Sequence, residues 1–188
     1  MPGPLRIACI GGESTGKTTL ARALAQSTGG VLVAECLREF VREHGRPPRA
    51  QEQRALLDAQ RSRELALAAL VPDGVLVCDP ATLMIAIYSE LYFADSSLNA
   101  LALEHAHDYD ALLWCRPDIP WVAEPGQHDG PQFRERADEL LAGWVARHGA
   151  RHRVLEVTGD EGRIDRAQAL LKRGLGSVWQ PGATTEPT

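Results

Sequence analysis

Lysine is nearly missing from this chain of 188 residues: eighteen arginines stand beside only Lys17 and Lys172. Positive charge is in deficit as well, with a formal net charge of −5. A partner such as nucleic acid or an anionic membrane surface wants a basic stripe, and none is written here. No apolar run reaches 18 residues, so no helix is expected to span a bilayer. Met1-Pro2-Gly3-Pro4 lacks the charged and apolar regions of a secretory leader, which predicts a cytoplasmic protein. Cysteine is sparse and unpatterned. Cys9, Cys36, Cys78 and Cys115 lie in or beside apolar runs without CxxC or metal-ligand spacing, and are expected to be buried, reduced thiols. There is no internal repeat. A chain of this length suits one domain, burying roughly 70% of the surface its unfolded form exposes.

What the chain does have is Gly11-Gly12-Glu13-Ser14-Thr15-Gly16-Lys17-Thr18. The stretch follows the apolar run Leu5–Ile10 and opens a helical pattern at Thr19, the strand–loop–helix context of a phosphate-binding P-loop. Glycine lets backbone N–H groups wrap phosphate oxygens because no Cβ intrudes and positive φ costs nothing. The positive end of the following helix adds to the field. In this pattern residues Gly12 to Thr19 hold the nucleotide, Lys17 bridges the β- and γ-phosphates, and the Thr18 hydroxyl ligates Mg²⁺. At this composition a chance match is roughly one in seven hundred, so the motif is taken as functional. Keeping lysine at position 17 in so arginine-biased a chain fits a need for a compact ammonium rather than a planar fork.

Apolar runs at Leu5–Ile10, Val31–Ala34, Gly74–Cys78, Ala111–Cys115 and Val154–Val157 alternate with helical patterns. The helices are expected at about 18–27, 36–44, 50–70, 81–92, 98–106, 132–148 and 162–173. In the longest, Ala55, Leu56, Ala59, Ala66, Leu67 and Leu70 are expected to form the apolar stripe, with Arg54, Arg61 and Glu64 on the other side. Alternation of this kind predicts an α/β fold: a three-layer P-loop NTPase sandwich around a five-stranded parallel sheet, with a small lid. The expected organisation is one domain over 1–173, its lid at about 118–136, and a flexible tail over 174–188. Trp179 within that tail could dock on the body, though fraying with the tail is the expectation.

Ligands in such sheets bind at the strands' carboxyl ends. There the sequence places Glu35, Arg38 and Glu39 after the second run, Asp79 after the third, and Arg116 and Asp118 after the fourth. Asp79 is the expected acidic partner of Mg²⁺ beside Thr18, although with Pro80 behind it it also suits a helix N-cap. Glu35 is placed to orient or deprotonate an acceptor hydroxyl. Arg38, three residues on, pairs with Glu35 or holds an acceptor oxygen. Arg134 or Arg136 in the lid segment could be brought over the γ-phosphate, and Trp121 could stack on a planar ligand or wedge the loop onto the core.

Gly11–Leu20, Glu35-Cys36-Leu37-Arg38-Glu39-Phe40, Gln60-Arg61-Ser62-Arg63-Glu64, Cys78-Asp79-Pro80 and Pro117–Val122 occur in that order. Together they resemble the nicotinamide riboside kinase (ribosylnicotinamide kinase) domain of the bacterial NAD-biosynthesis regulator, over residues 5 to 173. The resemblance implies transfer of the ATP γ-phosphate to the 5′-hydroxyl of nicotinamide riboside, with ATP and Mg²⁺ as cofactors and a small-molecule acceptor as the partner. It implies that Glu35 and Arg38 line the acceptor, that Asp79 serves metal and hydroxyl, and that Trp121 faces the nicotinamide or its ribose. With the residue reading, the expected catalytic set is Lys17, Asp79, Glu35 and Arg134, the metal set is Thr18 and Asp79, and Glu124 joins the acceptor wall. This chain departs from the family at Pro80, where a threonine is usual, and at Glu124-Pro125 and His128, where an Asp-Gly and a nearby arginine are usual. The family's H-x-G-H nucleotidyltransferase pattern and DNA-binding helix pair are absent, so adenylylation and repression are not expected.

The residues alone leave two other functions open: a P-loop kinase for a different nucleoside or small alcohol, and a nucleotide-sensing ATPase that phosphorylates no acceptor. A GTPase is disfavoured, because neither lysine lies in an N-K-x-D or T-K-x-D base-reading motif.

Overall fold

A computed structural model describes residues 3–122 and 130–179. In chain order these form β1 (Leu5–Ile10), α1 (Lys17–Thr28), β2 (Val31–Val33), α2 (Cys36–His44), α3 (Gln53–Leu70), β3 (Val75–Cys78), α4 (Leu83–Phe93), α5 (Asn99–Ala106), β4 (Ala111–Cys115), α6 (Pro131–His148), β5 (Val154–Val157) and α7 (Arg163–Leu175). All five strands are parallel and lie in the order β2-β3-β1-β4-β5. The chain therefore leaves the central β1 for one edge, returns, and crosses to the other side. Those directions diverge at the carboxyl end of β1, the place where open parallel sheets bind ligands, and the glycine loop begins there.

Alternation along the strands builds two cores. Ile7 and Cys9 of β1, with Ala111, Leu113 and Cys115 of β4, pack under α1 and α7. Ala8, Ile10, Leu112 and Trp114 face the opposite layer, where α3, α4 and α6 contribute Leu57, Met84 and Leu141. Both faces being covered explains the unbroken apolar runs of the inner strands. Each fully buried Leu or Ile contributes about 1.5–3 kcal/mol before the entropy cost of ordering it. The three-layer α/β prediction therefore holds, and all four cysteines are buried with free thiols.

Three details differ from the sequence expectations. The inward face of α3 is not the predicted stripe: Gln53, Leu56, Leu57, Gln60, Glu64 and Ala68 point inward, while Ala55, Ala59, Ala66 and Leu70 are exposed. An alanine-rich helix offers little contrast between its faces, so its phase is set by what the neighbouring elements bring to it. The second difference is the tail. α7 runs to Leu175, a 3-10 turn covers Gly176–Val178, and Trp179 is 3% exposed against the α1–α7 core. Burying an indole outweighs the fraying expected of a Gly-rich stretch. Residues 180–188 lie outside the described residues. Finally, α6 starts at Pro131, one residue ahead of the helix expected at 132–148, at the first helical position where its missing N–H costs nothing.

Candidate active site

The loop after β1 adopts the conformations its glycines permit. Gly11 has φ 143° and Gly16 φ 76°, and between them Ser14 also takes a positive φ of 52°. A Cβ on Gly11 would lie 2.5 Å from the Cys115 carbonyl oxygen, so the loop is threaded against β4 with no room for a side chain. A Cβ on Gly12 would likewise lie 2.9 Å from the Arg134 carbonyl oxygen, so the loop passes close to the backbone of α6. The Thr15 hydroxyl donates to the Gly12 carbonyl at 2.8 Å. The N-terminus of α1 opens directly onto this loop at Lys17, which makes the concavity a positive pole. Lys17 Nζ donates to the Gly12 carbonyl at 2.5 Å, folded back across the loop it is expected to serve.

Glu35 is the N-terminal flanking residue of α2, yet its side chain makes no capping hydrogen bond. Its carboxylate instead accepts from Arg38 Nε at 3.0 Å, with Glu35 19% and Arg38 52% exposed. Of the two expected roles for Arg38, the ion pair is the one the geometry contains. Burial pushes the Glu35 carboxyl above its usual range, while the positive charges of Lys17 and Arg38 pull it down and the Asp79 carboxylate pushes it up. Lys17 and Asp79 are therefore both within electrostatic reach of Glu35. α3 holds this corner in place. Gln60 Oε1 accepts the Cys36 N–H at 2.8 Å, and Arg63 pairs with Glu39 while donating to the Ala34 carbonyl at 3.2 Å.

Asp79 ends β3 with its carboxylate buried and its N–H bonded to the Val33 carbonyl at 3.0 Å. The N-cap of α4 is Thr82, so Asp79 does not cap that helix. Its carboxylate and the half-buried Thr18 hydroxyl offer hard oxygen ligands of the kind Mg²⁺ takes. Among the described residues no cluster of three or more His, Cys, Asp or Glu could cage a metal. A Mg²⁺ ion that fits here would complete its shell with phosphate and water oxygens.

The two lid arginines separate clearly. Arg134 is buried on the glycine loop and donates to the carbonyls of Ile119 at 2.9 Å and Ser14 at 3.4 Å. Arg136 is exposed and pairs with Glu139 at 2.7 Å, on the far side of α6. Val122 N–H donates to Ser14 Oγ at 2.9 Å, which brings the Asp118–Val122 segment over the loop. Trp121 is half-buried, and its indole N–H is shielded from solvent with no partner among the described residues. Glu124 lies outside the described residues. Glu13 and Thr19 border the loop, half-buried and exposed respectively.

One arginine escaped the sequence reading. Arg163, the first residue of α7, buries its guanidinium and donates to the carbonyls of Thr15 (3.1 Å), Arg116 (3.1 Å) and Gly159 (2.7 Å), and to Asp118 Oδ1 (3.1 Å). It ties the glycine loop to the ends of β4 and β5. Only the pattern Gly162-Arg163 at a helix start could have signalled it, and that pattern is common. Arg163→Ala removes charged hydrogen bonds worth about 1.5–3 kcal/mol each where buried. The affinity for AMP-PNP, read by calorimetry, is expected to fall roughly tenfold. An unchanged affinity would show that the loop holds its shape without this clamp.

Comparison with known proteins agrees with this geometry. Over most of its length the chain superposes on the crystal structure of NadR protein in complex with NR, with a TM-score of 0.80 and 21% identity, covering 97% of this chain and 54% of that one. NadR protein in complex with NAD and AMP-PNP gives a TM-score of 0.72 at 21% identity, covering 98% and 51%. The chain thus spans about half the length of these NadR structures. Thymidylate kinase from Candida albicans (TM-score 0.67, 13% identity, 92% and 93% covered) and deoxyadenosine kinase from M. mycoides with bound dATP (0.62, 13%, 89% and 99%) share the fold. No curated protein matches the chain in sequence. The family model described as "AAA domain" matches residues 6–163, from the middle of β1 to the first residue of α7. With its glycine loop, parallel sheet and covering helices arranged as in P-loop nucleoside and nucleotide kinases, the chain belongs to that AAA domain family.

Proposed function

We propose that the protein is an ATP-dependent kinase that phosphorylates the 5′-hydroxyl of nicotinamide riboside, giving nicotinamide mononucleotide. The observation that carries this reading is the likeness to NadR in complex with NR across 97% of the chain, with Lys17, Glu35 and Asp79 converging at the carboxyl ends of β1, β2 and β3. Phosphoryl transfer needs little covalent help from the protein. It needs the triphosphate held, the acceptor aimed in line, and positive charge over the transferring group. The glycine loop supplies N–H donors, and Lys17 exchanges the Gly12 carbonyl for phosphate oxygens. Arg134, already against the loop, adds positive charge as the lid segment closes and excludes water. Glu35, its carboxyl raised by burial, orients the acceptor hydroxyl and accepts its proton as charge develops. Arg38 keeps Glu35 aimed, while Trp121 belongs to the wall around the acceptor. Mg²⁺, held by Thr18 and Asp79, would neutralise charge on the phosphates.

The likeness to deoxyadenosine and thymidylate kinases favours a second acceptor class, another nucleoside or nucleotide. Incubation with ATP, Mg²⁺ and a panel of nucleosides separates the two, with ADP release and product mass as readouts. Nicotinamide riboside is expected to yield a product one phosphoryl group heavier. If a deoxynucleoside reacts and nicotinamide riboside does not, the acceptor assignment falls and the kinase survives. ATP binding without any phosphorylated product would leave a nucleotide sensor instead.

A further inference from the structure

The buried side of α3 carries a carboxyl group that none of the roles above uses. Glu64 is fully buried, beneath the sheet's α3–α6 face rather than at the strand ends. The hydroxyl of Tyr109, a buried residue just before β4, donates to Glu64 Oε1 at 2.9 Å and lies 3.0 Å from Oε2. The same phenol oxygen accepts the N–H of Thr82 at 3.2 Å. Thr82 is the buried N-cap of α4, three residues after Asp79. A continuous line of hydrogen bonds therefore runs from α3 through Tyr109 to the turn that presents Asp79.

That turn has few other anchors. Asp79 N–H is bonded to the Val33 carbonyl and Ala81 N–H to the Cys9 carbonyl, both at 3.0 Å, which fixes where the turn leaves the sheet. The Thr82 N–H is the next fixed point, and among the described residues Tyr109 is its hydrogen-bond partner. The pair is costly to keep. A carboxyl without solvent is stabilised here by the phenol and by Arg61, whose Nη1 is 3.6 Å away, with Arg6 contributing at longer range. A leucine and a phenylalanine would fill the same space without that cost, so packing does not account for it.

We propose that Glu64 and Tyr109 are positioning residues for phosphoryl transfer: acting through the Thr82 N–H, they set the place of the Asp79–Thr82 turn and so the aim of the Asp79 carboxylate. The proposal rests on the kinase reading and extends it from the site to the layer beneath. Neither residue touches substrate. Tyr109→Phe keeps the ring and removes the single hydroxyl, leaving the Thr82 N–H without its partner. Small displacements of a catalytic group far from the altered atom cost up to about a hundredfold in rate.

The test compares wild type with Tyr109→Phe, Glu64→Gln and Glu64→Leu in two measurements. Calorimetry reads the affinity for AMP-PNP with and without Mg²⁺. Steady-state kinetics reads kcat and KM with whichever acceptor the panel identifies. Tyr109→Phe and Glu64→Leu are expected to lower kcat roughly 10- to 100-fold and to lose most of the affinity Mg²⁺ adds, with metal-free affinity held within about twofold. Glu64→Gln, whose amide oxygen still accepts from the phenol, is expected to restore both. If Tyr109→Phe keeps wild-type kcat and the full Mg²⁺ gain, the proposal is overturned. It is equally overturned if metal-free affinity falls in parallel, since that marks a general loss of structure. Should Tyr109→Phe fail to fold, the contrast between Glu64→Gln and Glu64→Leu decides alone. The calorimetric arm needs no acceptor, so a wild type inactive on every nucleoside defeats the kinase reading, and with it the link to phosphoryl transfer, while the Mg²⁺ gain still tests whether Glu64 and Tyr109 set the aim of Asp79.

Discussion

Lys17→Ala is expected to lower phosphoryl transfer about 10²–10³-fold, or on the order of 3–4 kcal/mol, while leaving the fold intact. Lys17 is half-buried at the first position of α1 and belongs to neither apolar core. Its ammonium donates to a backbone carbonyl of its own loop, a contact whose loss costs little against water. The melting temperature should therefore stay close to wild type while turnover collapses. The separation matters, because a variant that lost both would say nothing about charge. Lys17→Arg is expected to fail too, since a planar fork does not fit a loop pressed between Cys115 and Arg134. ADP release under saturating ATP and acceptor measures the effect, with circular dichroism to establish folding. Turnover near the wild-type level in Lys17→Ala would remove the glycine loop from the mechanism.

The second large effect is on stability against pH, and Glu64 is its source. Burial pushes this carboxyl from its usual 4.5 up to about 7, although Tyr109, Arg61 and Arg6 all pull it down. In the unfolded chain Glu64 ionises near 4.5, whereas in the folded chain it holds its proton until about 7. Between those values the folded state binds more protons, so stability falls as pH rises through the window and levels off above it. The shift corresponds to about 3 kcal/mol. Carboxylates with lowered values act in the opposite sense, Glu52 at about 2 through its Arg46 partner being the largest. A difference measurement isolates Glu64. The unfolding free energy of wild type minus that of Glu64→Gln, from urea titrations, should drop by about 3 kcal/mol between pH 4.5 and 7.5. A difference that stays level across the window would mean that Glu64 is ionised throughout, and its burial would need another account.

The glycine loop, the five strands and the polar residues at their carboxyl ends could all be read before any coordinates, because each is a local signal. A run of apolar residues in a doubly covered sheet, a glycine where φ is positive, a carboxylate at the residue after a strand: these are decided by neighbours in the chain. That logic places Glu35 and Asp79, and the fold brings Lys17 and Asp79 within electrostatic reach of Glu35. The inward face of α3 was not legible. Its alanines supply no contrast, and its polar residues Gln60 and Glu64 turn inward because Cys36 and Tyr109 offer partners there. Trp179 was read as frayed because glycine and proline surround it, yet a core waits for it against α1 and α7.

Local covalent order thus settled where the glycine loop lies and in what sequence strands and helices follow, since a motif of eight residues and alternation along a strand carry their own physics. Tertiary packing alone chose Arg134 over Arg136, recruited Arg163 to the glycine loop from 148 residues away, and joined Glu64 to Tyr109 across 45. Buried charges and hydroxyls take whatever partner the fold presents within 3 Å or so, because leaving one unpaired costs more than any propensity of the chain can offset.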